Sequence, residues 1–473
     1  MTHTARGCLI LLCAGALAAC AHFRPKPLSA AASIASFDSR SLETPALRAF
    51  LSANRVAPPA RGAAWDLKAL TLAAFYYQPT LAEARERLLA AQAARLSAGE
   101  RPNPSLSITP AHDAAVPGAV SPWIVPLSFD WPIETAGRRG DRLAQARHLA
   151  AASRWDLVGT VWRVRGRVRA ALLGVYAARH SVALLGREES TRQKVVRLLE
   201  AQFTAGNVSS YEVAQARIAL NRATLERETA AGELRQSLIA LASALGMPPH
   251  ALEGIRLAFG DPRAFPSRLT RPEVRQRALL ARADVRAALE RYAASQSALR
   301  LQVARQWPDI HLGPGFAWNA QLADDQQWKL GLSLPLPVLN HNQGPIAEAR
   351  ARRALAAAHF LTVQAAAIGQ IDGALAAYDS ARAQLATADS LLGSLEHELR
   401  SIEAQVTAGE LQPLDADNAR LAYEAGARNR LDALVSAQQA LGRLEDALQS
   451  PLTLPAATVD AGRRANDAGA PGP

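Results

Sequence analysis

The chain of 473 residues reads as mainly α-helical with a membrane β-barrel portion. The expected plan is a tandem repeat of helix, strand, strand, very long helix and helix. Three copies would share one twelve-stranded barrel and one α-helical tunnel. Three observations carry this. Stretches rich in Ala, Leu, Arg and Gln run without proline far beyond the length a globular domain needs. Two pairs of short segments alternate apolar and polar residues. The same order of segments occurs twice.

Residues 1–19 read as a signal peptide. Arg6 supplies the positive start, and Cys8 to Ala16 form an apolar core too short to span a bilayer. Leu17-Ala18-Ala19-Cys20 resembles the lipobox of bacterial lipoproteins. That resemblance implies cleavage before Cys20 and a covalent lipid on it; no other cofactor is expected. Ala21 is not Asp, so the rule that retains such lipoproteins in the inner membrane is not met. The cysteines are Cys8, Cys13 and Cys20, which leaves the body without a disulfide or thiolate metal site. The formal charge of +11 could suggest nucleic acid. However, the basic residues are scattered along helices without aromatic interleaving, and an exported protein meets no genome, so nucleic acid is not an expected partner.

A lipid-anchored tether over 20–65, with a short helix near 44–53, leads to a first repeat over 66–246. Its helix after Pro79 places Leu81, Ala84, Leu88, Ala91, Arg95 and Ala98 at helical spacing, and Pro102 and Pro104 end it. Strands are expected near 104–110, where Leu106 and Ile108 alternate with serines, and near 123–132, where Leu127, Phe129 and Trp131 alternate with Ser128 and Asp130. A helix over 138–203 follows; some 65 residues at 1.5 Å each make about 100 Å. Gly206 suits a C-cap and Ser209 or Ser210 an N-cap, so a second long helix returns over 209–246.

Residues 247–271 form a connector. The second repeat, 272–449, has strands near 308–318 and 328–337 and long helices over 345–407 and 412–449. Its second strand faces Leu330, Leu332, Leu334 and Leu336 one way before a polar turn and Pro345. Segment 282–310 overlays 78–106 without a gap, and Glu200 to Gly206 reappears as Glu403 to Gly409. A disordered tail is expected over 450–473.

Strands of about ten residues cross a membrane when tilted. Four strands cannot close a barrel, and open edges are not tolerated in lipid. Three chains supply twelve. Together with the Asn103-Pro104 junction, Gly137-Arg138-Arg139 after the second strand and the Thr-Ala-Gly turns, the chain resembles the TolC-type outer-membrane efflux factors over residues 66–449. The stretch Pro335 to Gly344 is most similar to the heavy-metal (cobalt–zinc–cadmium) branch. The resemblance implies a homotrimer embedded in outer-membrane lipid. It also implies a periplasmic adaptor (membrane fusion) protein, an inner-membrane pump of the resistance–nodulation–division type, and adaptor docking at helix-turn tips, at Gly206, Asn207, Gly409 and Glu410.

No enzyme motif is present: there is no G-x-S-x-G, H-E-x-x-H, P-loop or C-x-x-C. Single His residues and two Met offer no soft-metal cage, so no bound metal is expected. His311 and His341 flank strand ends, where they would touch passing cations or simply be solvated. Trp123, Trp131, Trp318 and Trp328 read as an aromatic belt at the lipid headgroups, with core filling as the alternative. Glu212 and Asp415 hold equivalent positions past the two turns, with Asp417 close by. In the resembled family, acidic residues there constrict the periplasmic entrance as a gate. The plainer account is that first-turn acids favour the helix dipole. Arg217 and Arg420 would either pair with these acids to hold the mouth shut or form ordinary surface pairs. Two other functions share parts of this pattern. One is the same channel serving type I protein secretion. The other is a non-pore periplasmic coiled-coil adaptor or scaffold, which would lack four amphipathic strands.

Overall fold

The computed structural model describes residues 22–112, 122–266, 271–319 and 325–452. The signal peptide, Cys20 and tail positions 453–473 lie outside the described residues. The described chain falls into two units divided after Ser41. The first holds α1 (Ala30–Asp38), capped where the Ser29 hydroxyl accepts from the Ala32 N–H.

The second unit carries the two repeats. It opens with α2 (Pro45–Ala53), α3 (Leu67–Tyr77) and α4 (Pro79–Gly99). Short strands β1 (Ser105–Ile108) and β2 (Ala111–His112) precede β3 (Trp123–Ile133), then α5 (Arg138–Thr204) and α6 (Ser210–Leu245). After a 3₁₀ turn at Pro249–Leu252 come α7 (Arg271–Ala281), α8 (Ala283–Ala304), β4 (Ile310–Asn319), β5 (Asp325–Ser333), α9 (Gln343–Thr407) and α10 (Pro413–Leu448). Helix α5 has 67 residues and α9 has 65, so each is about 100 Å long.

Cores form where helices meet. Leu70 and Phe75 of α3 bury against Leu157 and Leu172 of α5 and Leu241 and Leu245 of α6. A second core joins Ile371 and Leu375 of α9 to Leu434, Leu441 and Leu444 of α10. The tether returns to the connector through a backbone pairing, with Trp65 N–H donating to Arg256 O and Ala258 N–H to Trp65 O.

The strands make one antiparallel sheet in the order β1-β3-β4-β5, with β2 also on β3. The β3–β4 pairing joins the two repeats. Residues directly opposite in an antiparallel ladder share a face. Ile108, Leu127, Phe316 and Trp328 therefore form one row across four strands, and Trp131, Leu312 and Leu332 form another on the same face. Ser107, Ser128, Gly315 and Lys329 form a row on the opposite face.

Two strand boundaries differ from expectation. The strand expected near 104–110 is interrupted at Thr109-Pro110, because proline has no N–H to continue a ladder. The strand expected over 328–337 instead runs Asp325–Ser333. Pro335 and Pro337 stop it, leaving Leu334 and Leu336 outside the sheet.

Candidate channel wall and helix-turn tips

Among the described residues the strands contribute to neither hydrophobic core. On its apolar face Trp328, Leu330 and Leu332 are 82%, 79% and 70% exposed. An exposed apolar face of this extent marks a surface made for another apolar medium or partner. Trp123, Trp318 and Trp328 stand on that face at the end remote from the helices, and Trp131 stands on it toward α5. The Phe316 and Trp328 rings lie 5.0 Å apart. Strands β1 and β5 are the edges among the described residues, and their unpaired backbone groups are available to another chain.

Each long hairpin turns through a left-handed glycine, Gly206 at φ +77° and Gly409 at φ +80°, which an L side chain would strain. Asn207 N–H then donates to Gln202 O, and Glu410 N–H to Gln405 O. Past the first turn, Ser209 and Glu212 form a reciprocal capping box: Ser209 N–H donates to Glu212 Oε2 at 2.7 Å, and Glu212 N–H to Ser209 Oγ at 3.3 Å. Those bonds, from the Ser209 backbone and then its hydroxyl, hold the Glu212 carboxyl below its usual range. Past the second turn, Gln412 N–H donates to Asp415 Oδ2 at 3.0 Å.

Within one chain the arginines pair mainly across the hairpin. Arg217 donates to Glu200 Oε1 through Nε at 3.0 Å and Nη2 at 2.5 Å. Arg420 pairs with Glu403, with Asp417 at 3.7 Å. Asp417 thus meets Arg420 within the chain. Residues five apart lie about 140° apart around a helix, which turns Arg217 away from Glu212. The antiparallel helix brings Glu200 across instead. The two pairs are repeat equivalents that clip each hairpin just behind its turn. Their acids stand in the repeated segment itself, so the repeat was the signal for them. His341 sits in the turn before α9, its N–H on Gln343 Oε1. Among the described residues no group of three or more His, Cys, Asp or Glu side chains could hold a metal ion.

A buried charge cluster fastens the first repeat to the second, and the sequence reading missed it. Arg165 Nη2 donates to Glu445 Oε2 at 2.8 Å, and Leu452 N–H donates to Glu445 Oε1 at 2.8 Å. Arg169 donates to Gln438 O at 2.7 Å and Oε1 at 2.8 Å. Glu445 is 0% exposed, Arg165 4% and Arg169 5%. Glycines make the room: a Cβ on Gly442 would lie 2.1 Å from Arg169 Nη1, and one on Gly166 2.5 Å from Asp446 Oδ2. Isolated glycines inside long Ala-rich helices were the available signal. Lower in the hairpins, Arg428 Nη1 bridges Glu188 at 3.0 Å and Glu226 at 2.9 Å, tying α5, α6 and α10 together.

Burial disfavours the charge on Glu445, yet Arg165 and the Leu452 N–H hold its carboxyl below the usual range. Asp446 goes the other way: burial, with Glu445 beside it, pushes it up to about 6 against the opposing Arg165 and Arg169. A carboxyl raised by folding favours the fold when protonated, and that advantage is lost as pH rises from about 4 through 6. Asp446 is itself exposed at the rim of the cluster, so solvent screening leaves much less than the full shift as stability. Asp446→Asn is therefore expected to melt above wild type at pH 7.5, the gap closing by about pH 4. Circular dichroism melts in detergent check this, and equal melting temperatures at pH 7.5 would refute it.

The family model for outer membrane efflux proteins matches residues 74–247 and 274–449. The chain belongs to the outer membrane efflux protein family. Its two matched segments coincide with the two repeats. The family is one of channel proteins rather than enzymes, which places this chain in efflux transport at the outer membrane. It is 26% identical over 308 residues to the cobalt-zinc-cadmium resistance protein CzcC of Cupriavidus metallidurans, covering 64% of this chain and 68% of that one. It is 24% identical over 229 residues to the pyoverdine export outer membrane protein OpmQ of Pseudomonas aeruginosa, covering 48% of each. The crystal structure of the outer membrane protein VceC of Vibrio cholerae matches with a TM-score of 0.67 at 20% identity, over 82% of this chain and 96% of that one. At that identity the likeness is one of fold, the TolC-type helical tunnel with a barrel.

Proposed function

We propose that the chain is the outer-membrane channel of a tripartite efflux system. It acts as a passive conduit for small toxic solutes, metal cations or drugs, from the periplasm and pump to the outside. The observation that carries this is the sheet: four strands in register, apolar on one face and polar on the other, with both edges open. Such a sheet is stable in lipid only when closed by further strands, and three copies supply twelve. A homotrimer follows, anchored by lipid on Cys20, with an adaptor docking at the Gly206-Asn207 and Gly409-Glu410 tips and an inner-membrane pump supplying the energy. Similarity to CzcC favours metal cations as cargo and similarity to OpmQ favours an organic solute. Identifying which toxic compounds accumulate in a deletion strain decides between them.

The purified chain should run as a heat-sensitive trimer in detergent and form ion-conducting pores in planar bilayers. A monomer that stays soluble once lipid is removed would overturn the reading. Rings of Glu212 and Asp415, with Asp417 behind, would line the periplasmic mouth, where ring carboxylates favour cations. Replacing both Glu212 and Asp415 by Ala is expected to lower the potassium-to-chloride permeability ratio about twofold or more. An unchanged ratio would remove the ring from the mechanism.

A further inference from the structure

The polar face of the sheet is mostly small and neutral, as at Ser107, Ser128, Gly313, Gly315 and Gly331. Larger titratable side chains interrupt it. His311 of β4 places Nδ1 3.1 Å from each carboxylate oxygen of Asp130 of β3. The pair sits at the helix end of the sheet: His311 stands opposite Pro132 on β3 and Ser333 on β5, and Asp130 opposite Ser105 on β1. Lys329 of β5 stands on the same face, opposite Gly315.

Two other charges near this end have partners. Asp309, two residues before His311, receives Arg138 Nη1 at 2.6 Å and the Thr135 N–H at 3.1 Å. Glu134 is held by Arg142. The Asp130–His311 pair is half-exposed on the face that would line the bore.

We propose that the Asp130–His311 pair sets the charge preference of the bore where barrel meets tunnel, and that it makes this preference depend on pH. This rests on the channel reading above. Histidine is the side chain that changes charge between pH 5 and 8. With His311 neutral, each chain offers Asp130 as a fixed negative charge at this level, and cationic solutes are favoured. With His311 protonated, the ion pair cancels that charge and the preference moves toward anions. Cargo is thereby sorted by charge according to the acidity of the medium. Such a wall effect is screened within about 10 Å at 0.1 M salt, so it is strongest in dilute electrolyte.

The test is the reversal potential of the full-length channel in planar bilayers under a dilute potassium chloride gradient, at pH 7.5 and 5.5. The wild-type potassium-to-chloride permeability ratio should fall about twofold or more on acidification. His311→Gln should abolish that fall. Asp130→Asn should lower the ratio already at pH 7.5. His311→Lys, a permanent cation, should show the acid-type ratio at both pH values, which a merely structural role would not produce. Pores with the same ratio at both pH values, or a fall that survives His311→Gln, overturn this assignment alone. A wild-type chain that forms no pores removes it together with the channel reading.

Discussion

Glu445→Ala is expected to destabilise the chain by about 3–5 kcal/mol, the usual result of removing one partner from a buried ion pair. Arg165 lies 4% exposed with Glu445 as its acidic partner at 2.8 Å. Alanine would leave that guanidinium charged and unpaired inside the packing, since arginine does not deprotonate. The Leu452 N–H would lose its acceptor as well. A control separates this from simple loss of volume: Arg165→Met together with Glu445→Leu removes both charges, and such swaps are often neutral or stabilising. Denaturant titration monitored by circular dichroism should therefore rank wild type and the double variant close together and Glu445→Ala far below. If Glu445→Ala unfolds at the wild-type midpoint, the cluster is not what fastens α5 to α10.

Leu330→Arg should prevent assembly, whereas Ser128→Lys should not. Leu330 stands opposite Pro314 near the middle of β5, on the apolar face. An arginine near the bilayer midplane on that face costs about 2–4 kcal/mol. Three copies would incur it three times in one barrel. Ser128 is on the opposite face, where a water-filled bore accepts a lysine beside Lys329. The readout is the heat-sensitive trimer band from outer-membrane fractions. A normal band from Leu330→Arg, or loss of the band from Ser128→Lys, would reverse the assignment of the two faces. The first variant carries the larger consequence, because it decides whether this sheet meets lipid at all.

Much of this molecule is written in short-range pattern. Alternation at Leu127-Phe129-Trp131 requires only neighbours two residues apart, and it located β3. Pro102 and Pro104 ended α4, and Gly206 and Gly409 closed the hairpins, each through its own backbone preference. Alternation also overran its limit: Leu334 and Leu336 continue the pattern of Leu330 and Leu332, but the prolines between and beyond them cannot pair. Within one chain Arg217 meets Glu200 of α5, the other helix of its hairpin, because α6 turns it away from Glu212.

The amino-acid order alone determined the helix and strand segments, their duplication and the need for extra strands, because each depends on spacing within a few residues or on a count. Only the tertiary structure decided that β3 pairs with β4, that Asp130 meets His311, and that Arg165 finds Glu445 across 280 residues of chain. Those outcomes depend on how long helices settle against one another and which side each turns inward, and no local spacing encodes that choice.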